Sequence, residues 1–178
     1  LKVREASELI SKSQNDILSI VNDLITLSEV GFKYEKSNAK PTDIGNLIKR
    51  VIGNSREALE LKKLEINFEN LAENPVAMVS EFMIGKVLEN LIDNAIGYSH
   101  ENGKISVDLS GNEKEITFKI TDNGIGIPEN DQSAIFSQFF RARNAMAKKN
   151  VGTGLGLFIT KNIVEGHGGK IWFESIEG

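Results

Sequence analysis

Cysteine is absent from this chain of 178 residues, so disulfide bonds and thiolate metal sites are excluded. No apolar run approaches the roughly 18 to 20 residues that cross a bilayer, and the N-terminus has no signal-peptide profile. Basic residues are also few, with 21 Lys and Arg against 25 Asp and Glu and a net charge of -4. That balance argues against nucleic-acid binding. We therefore expect a cytoplasmic chain, with membrane contact only through segments outside it.

The first 30 residues carry the pattern of a long helix. Mostly apolar side chains recur about every 3.5 residues, as in a coiled-coil-like seam. The seam consists of Val3, Ala6, Ile10, Ser13, Ile17, Ile20, Leu24 and Leu27. A second stripe makes the apolar face too wide for a two-helix zipper and favours a larger bundle: Leu9, Leu18, Val21 and Ile25. We predict a helix over 1–30 that packs against helices missing from its own chain, followed by a linker over 31–41.

Residues 42–178 have the pattern of one mixed domain. Thr42 or Asp43 is the predicted cap of a first helix, and Ser80 caps a second helix that ends near residue 98. A last helix is predicted near 154–166. Alternating apolar residues predict strands over 64–68, 76–78, 105–109, 116–120 and 170–173. The strands over 105–109 and 116–120 lie on either side of a turn at 110–113 and predict a hairpin. Because strands and helices do not strictly alternate, we expect an α+β fold, a two-layer α/β sandwich with a largely antiparallel sheet.

Two glycine-rich turns bracket a basic segment. One turn follows Asp122, and the other contains Gly152, Gly154 and Gly156. Glycine lets backbone N–H groups approach phosphate oxygens, and a helix that starts after such a turn adds the positive end of its dipole. The pattern indicates a polyphosphate ligand beneath a lid, although a lone glycine turn is often only a tight loop.

A polar stripe runs along the helix from 80 to 98. Lys86, Asn90 and Asn94 are spaced four residues apart and share one face. Amide oxygens suit Mg²⁺, and Lys86 could offset phosphate charge. Spacing alone would also fit a solvent-exposed face. The nearby glycine turns favour the ligand-binding interpretation.

Asp122 ends an apolar strand and enters a glycine turn. A carboxylate there could accept a hydrogen bond from an exocyclic amine and so select adenine. The alternative is a residue that only stabilises the turn.

Four segments resemble, in order and spacing, the N, G1, F and G2 boxes of sensor histidine kinases. They are residues 90–99, 122–127, 135–141 and 152–157. The resemblance covers essentially the whole chain. Residues 42–178 are similar to the catalytic ATP-binding domain, and residues 1–30 to the second helix of the dimerisation and histidine-phosphotransfer domain. It implies a Bergerat-type sandwich shared with gyrase, Hsp90 and MutL ATPases.

The resemblance also implies roles for single residues. Asn90 and Asn94 would contact Mg²⁺ and phosphate, Asp122 the adenine amine, and Arg141 the phosphate charge during catalysis. The remaining ATP-binding residues would be Lys86, Tyr98, Gly124, Gly126, Ile127, Gly152, Thr153, Gly154, Leu155 and Gly156. The lid, about 129–151, would be anchored by Phe136, Phe139 and Phe140. Further basic candidates are Arg143, Lys148 and Lys149.

Phosphoryl transfer in this family needs an acceptor histidine, and the two histidines here, His100 and His167, do not lie on a helix of the dimerisation type. We expect the acceptor before Leu1 and a closing strand after Gly178. Gly97 replaces a basic residue common in the family. The implied function is the kinase core of a homodimer, joined through the N-terminal helix, that serves a response-regulator receiver domain. Alternatives are a nucleotide-sensing module without kinase activity and a gyrase-type ATPase. Asn90, at the position of the gyrase water-activating Glu, disfavours the ATPase.

Overall fold

The computed structural model describes residues 39–112, 114–148 and 152–178, and ten positions between 14 and 28. Those ten positions are helical. Of the predicted seam, Ile17 and Ile20 are among them, and both are exposed. The other seam positions and the linker up to residue 38 lie outside the described residues.

From Lys40 onward the chain forms five strands and six helices in its described part. Their order is β1 (Lys40–Asp43), α1 (Ile44–Asn54), α2 (Arg56–Leu61), β2 (Glu65–Asn70), β3 (Val76–Val79), α3 (Glu81–Tyr98), β4 (Lys104–Gly111), β5 (Ile116–Asp122), α4 (Glu129–Gln132), α5 (Arg143–Lys148) and α6 (Gly156–Gly166).

Helix starts follow the predicted caps. Asp43 Oδ1 accepts the Asn46 N–H at 2.9 Å, and Ser80 Oγ accepts the Met83 N–H at 3.4 Å. These bonds satisfy N–H groups that have no partner within the helix. The predicted cap positions at α1 and α3 are therefore confirmed.

The strands form two small sheets. β1 pairs with β3 antiparallel. In the second sheet β4 is central, parallel to β2 and antiparallel to β5. The β4–β5 pair is the predicted hairpin, and its register places Ile105 opposite Asp122. The expected α+β fold is confirmed, and two of the three described strand pairings in the two sheets are antiparallel.

The main core lies between the central strand and two helices. Val107 and Leu109 of β4 are fully buried, as are Ile48 of α1 and Ile92 of α3. Their burial follows the period-two pattern of the strand and the apolar faces of the helices. A second cluster joins α3 to α6 through Val87, Leu155, Ile159 and Ile163. Helix α3 thus packs against both the sheet and α6.

Two sequence expectations differ from the structure. No strand is predicted where β1 forms, and its first residues, Lys40 and Pro41, belong to the predicted linker. The predicted strand over 170–173 does not form, although burial alternates along it. Alternation shows only which side chains face inward, whereas a ladder also needs a neighbouring strand.

Within the described residues, no helix has the length and apolar character needed to cross a membrane.

Candidate functional site

The C-terminus of α3 meets the first glycine turn. The Ile125 N–H donates to the Tyr98 carbonyl at 3.2 Å, and Ser99 forms an isolated bridge with Gly124. A Cβ on Gly124 would lie 2.5 Å from both Asp122 Oδ1 and the Tyr98 carbonyl oxygen. Only glycine fits this approach. The structure therefore brings together Asp122, Gly124 and Tyr98, the residues predicted at the base end of the nucleotide.

The Asp122 carboxylate has one oxygen already engaged. Its Oδ1 accepts the Gly124 N–H at 2.8 Å. Burial raises the pKa of Asp122 above its ordinary value of 3.8, while the Gly124 bond and the charge of Lys148 act against this rise. The side chain keeps solvent access. A carboxylate that is partly desolvated by its site is typical of a binding position.

Residues of the C-terminal segment pack against the same turn. The Ile127 N–H donates to Ser175 Oγ at 2.9 Å. A Cβ on Gly126 would overlap the Ile176 carbonyl oxygen. The backbone of the predicted turn residues Gly126 and Ile127 therefore contacts Ser175 and Ile176 of the C-terminal segment.

Asn90 lies near the start of α6. Its Nδ2 donates to Thr160 Oγ1 at 2.8 Å, and a Cβ on Gly156 would overlap its Oδ1. Asn94, one turn further along α3, is half-buried. The structure therefore brings Asn90 together with the second glycine turn.

The second glycine turn is close to the lid. Gly154 has a φ of +69°, and a Cβ there would lie 2.6 Å from the Phe139 carbonyl carbon. A Cβ on Gly152 would lie 3.5 Å from the Arg141 Nε, in ordinary contact. Arg141 is thus beside the predicted phosphate turn. Leu155, by contrast, is buried in the α3–α6 cluster, so only its backbone can face a ligand.

Thr153 connects this turn to the N-terminal helix. Its hydroxyl donates to Asp23 Oδ2 at 2.6 Å and accepts the Leu155 N–H at 3.0 Å. The hydroxyl therefore holds the turn and contacts a carboxylate 130 residues away in sequence.

Helix α5, in the predicted lid, contacts the first glycine turn and the C-terminus of α3. Lys148 Nζ donates to the Tyr98 and Ser99 carbonyls at 2.7 and 2.9 Å. Asn144 Nδ2 donates to the carbonyls of Ile125 and Gly126 at 3.3 and 3.0 Å. Lys148 was a candidate for phosphate charge, but it lies beside Asp122 and the end of α3. Lys149 lies outside the described residues.

The sequence from residue 80 to residue 178 matches the family described as histidine kinase-, DNA gyrase B-, and HSP90-like ATPase. The chain belongs to this family. The sensor histidine kinase WalK of Bacillus subtilis (strain 168) is 34% identical over 181 residues, which cover 97% of this chain and 29% of WalK. The chain thus spans less than a third of that relative.

Solved structures agree with this assignment. The nucleotide-free catalytic domain of histidine kinase ThkA is 32% identical, with a TM-score of 0.66 over 75% of this chain and 85% of that domain. ThkA in complex with the response regulator TrrA is 26% identical, with a TM-score of 0.62 over 86% of this chain and 44% of that chain. Full-length ShkA in complex with AMPPNP is 25% identical, with a TM-score of 0.72 over 87% of this chain and 32% of that chain. The resemblance carried by the four motifs is confirmed, and the ATP-binding domain is that of a sensor histidine kinase.

The three phenylalanines predicted to anchor the lid differ in their surroundings. Phe136 packs against another ring, whereas the prediction for Phe139 is wrong. Phe136 packs edge-to-face on Phe173 with ring centroids 5.7 Å apart, and Lys161 Nζ lies 5.8 Å from its ring centroid. Phe139 is 67% exposed and has a φ of +60°, so its side chain does not anchor the lid. Phe140 is half-buried.

Lys86 has an ion-pair partner on its own helix. Its Nζ lies 2.8 Å from Glu89 Oε2 and 5.9 Å from the centroid of the Phe82 ring. A phosphate would have to compete with Glu89 for this exposed lysine.

Sequence reasoning missed three structural residues of the site. Lys62 Nζ donates to the Ile96 and Gly97 carbonyls, both at 2.7 Å, and so stabilises the negative end of α3. His167 accepts the Ser80 N–H at its Nε2 at 3.2 Å, a contact at the start of α3 that the sequence does not predict. Thr160 is the third. Only their tertiary neighbours give these residues a role, so no sequence pattern could have found them.

Proposed function

We propose that this chain is the ATP-binding catalytic core of a two-component sensor histidine kinase, which transfers the ATP γ-phosphoryl group to a histidine outside the chain. The observation that carries the proposal is the placement of two predicted subsites along one helix. Asp122 adjoins the end of α3 at Tyr98, and the second glycine turn adjoins Asn90. Eight residues of helix separate Asn90 from Tyr98, about 12 Å, a span that suits a nucleotide lying along α3.

The base end would select adenine. Asp122 Oδ1 is held by the Gly124 N–H, which leaves Oδ2 to accept the exocyclic amine. Guanine carries a carbonyl at the corresponding position and would face the carboxylate with an acceptor, so it would be rejected.

The phosphate end would be formed by α6 and the lid. The N-cap residue of α6, Leu155, makes no side-chain cap hydrogen bond, so the first N–H groups of the helix and its dipole would attract phosphate oxygens. Arg141, beside Gly152, would stabilise the charge that develops on the transferred group. Phosphoryl transfer needs mainly such positioning and charge stabilisation.

The donor set fits Mg²⁺. Asn90 and Asn94 offer amide oxygens, and the described part of the chain contains no cluster of three His, Cys, Asp or Glu that could hold a metal. Mg²⁺ usually takes few protein ligands and completes its shell with phosphates and water. When bound, Mg²⁺ would neutralise phosphate charge.

Transfer to a protein acceptor is favoured over hydrolysis. Asn90 carries an amide, which cannot serve as a general base toward water. His167 is engaged by Ser80 and Ile163, and His100 lies in an exposed loop, so neither suits the acceptor role. The acceptor would therefore come from a dimerisation helix.

Partners are proposed for the whole protein. Within the described positions of the N-terminal helix, apolar side chains are exposed: Ile17, Leu18, Ile20, Val21 and Ile25. Their exposure supports a homodimer formed through this helix. The complex of ThkA with TrrA supports a response-regulator receiver domain as the next acceptor.

The test is phosphorylation of a version of the protein extended at its N-terminus to include the dimerisation helices. With Mg²⁺ and γ-labelled ATP, we expect an acid-labile, base-stable label, the signature of phosphohistidine. Asp122→Asn should be labelled far less than wild type at an ATP concentration near the wild-type Kd. Binding of ATP without any label would favour the nucleotide-sensing module, for which Gly97 is the motivating observation. Absence of ATP binding would overturn both functions.

A further inference from the structure

A polar pair lies within the apolar interface between α3 and α6. Asn90 of α3 donates to Thr160 of α6 at 2.8 Å, next to the buried cluster of Val87, Leu155 and Ile159. Thr160 is only 1% exposed. Apolar groups of the same shape at both positions can be neutral or stabilising. Packing alone therefore does not account for this pair.

Gly156 contacts the other half of the Asn90 amide. A Cβ on Gly156 would overlap Asn90 Oδ1, so the amide oxygen lies directly against the first residue of α6. Gly156 and Thr160 are four residues apart and share one face of the helix. The amide thus lies along that face, with its nitrogen at Thr160 and its oxygen at the helix N-terminus.

The reverse orientation of the amide is disfavoured. Leu155, the N-cap residue of α6, makes no side-chain cap hydrogen bond, so the first backbone N–H groups of the helix and its dipole present partial positive charge. An oxygen is stabilised there, whereas an NH₂ group would face other donors. In this orientation the Thr160 hydroxyl accepts from Nδ2 and anchors the other end of the amide, while the choice between the two orientations comes from the helix N-terminus.

We propose that Thr160 is a positioning residue that orients Asn90, so that Oδ1 faces the Mg²⁺ and phosphates at the second glycine turn. This inference rests on the proposed function, which assigns Asn90 to the metal. Without the Thr160 hydroxyl, Nδ2 loses its partner and the amide is no longer held in one orientation. The metal-dependent part of nucleotide affinity then falls, while the base end near Asp122 is unaffected.

The test is calorimetric ADP binding in Mg²⁺ and in a chelator, with Thr160→Val and Thr160→Ser compared with the wild type. Valine keeps the volume and removes the hydroxyl, and serine keeps the hydroxyl. For Thr160→Val we expect affinity in Mg²⁺ to fall about three- to tenfold, the effect of one lost hydrogen bond, with no change in the chelator. Thr160→Ser should retain most of the Mg²⁺ enhancement. An undiminished enhancement in Thr160→Val would overturn the inference.

Asn90→Ala separates this inference from the proposed function. If Asn90→Ala keeps the full Mg²⁺ enhancement, the proposed role of Asn90 fails, and this inference fails with it. If Asn90→Ala removes the enhancement and Thr160→Val keeps it, only the role of Thr160 is refuted. The double variant should lose no more than Asn90→Ala alone, because both changes act through one side chain.

A second measurement decides the question if Thr160→Val does not fold. In the wild type, hydrogen exchange of the Asn90 side-chain NH₂ should be slow, and it should remain slow in Thr160→Ser. The signal is assigned by its absence from Asn90→Ala. Exchange as fast as that of surface asparagines would overturn the inference.

Discussion

Asp122→Asn replaces a carboxylate with an amide of nearly the same shape. In the wild type Oδ1 accepts the Gly124 N–H at 2.8 Å, and an asparagine must keep its single oxygen there to preserve that bond. Its NH₂ group then takes the place of Oδ2. A donor would therefore face the adenine amine, which is also a donor.

The loss of affinity can be bounded from this geometry. A hydrogen bond to a charged group contributes about 1.5 to 3 kcal/mol, which corresponds to roughly a 10- to 100-fold weaker Kd. The fold should not suffer. Because burial raises the pKa of Asp122, its contribution to stability is present below the unfolded pKa and is lost as pH rises through the folded pKa. At neutral pH the ionised carboxylate opposes folding slightly, and the amide removes that cost.

The assay is calorimetric titration with ATP, paired with thermal unfolding at neutral pH. Asp108→Asn is the matched control, since it removes the same charge from the neighbouring strand β4. We expect a large loss of affinity for Asp122→Asn, a small change for the control, and a Tm no lower than wild type for Asp122→Asn. An affinity within about twofold of wild type would refute the role of Asp122 in binding the base.

Three further outcomes are expected. Gly156→Ala should destabilise the fold by about 1 to 3 kcal/mol through overpacking against Asn90, whereas Gly53→Ala in α1, where a Cβ meets nothing within 4 Å, should be neutral or stabilising. Denaturant melts compare the two, and equal effects would contradict the packing argument. Ion pairs with Lys40 and Arg50 hold the pKa of Glu81 at about 2, so the stability that Glu81 contributes is present above pH 4.5 and is lost as pH falls toward 2. In an acid titration, the free energy of unfolding of Glu81→Gln should fall less steeply than that of wild type, and parallel curves would refute this. Lys148→Met removes two bonds, to the carbonyls of Tyr98 and Ser99 at the C-terminus of α3, and should speed limited proteolysis of the lid without lowering Tm. Added Mg-ADP should slow cleavage in the wild type, and unchanged cleavage rates would argue against a lid held by Lys148.

Local patterns predicted much of the fold. The hairpin of β4 and β5 followed from alternation on either side of a short turn, because a strand with one buried face must repeat every two residues. The start of α3 followed from Ser80, because serine is strongly preferred at helix N-caps, where its side chain accepts a backbone N–H of the first turn. The predicted strand near residue 171 failed because burial can alternate without a partner to complete the hydrogen bonds.

The candidate site was also predicted only in part from the sequence. The four motifs predicted which residue types would meet the nucleotide, and the structure brings Asp122 close to Gly124 and Asn90 close to Gly156. The sequence could not predict which groups the Lys148 ammonium contacts. A lysine binds either phosphates or helix carbonyls, and the choice depends on where the lid lies.

The sequence by itself determined the chemistry of this protein: the family, the four motifs, the amide and carboxylate groups of the site, and the helix caps. These depend on residue type and on spacing within one element, which the chain carries locally. The tertiary structure alone decided which groups are held in place, as with Asn90 by Thr160, the end of α3 by Lys62 and Lys148, and Ser80 by His167. Each of these contacts joins residues more than 30 positions apart, so it exists only once the packing of α3 against its neighbours has brought the partners within hydrogen-bond distance.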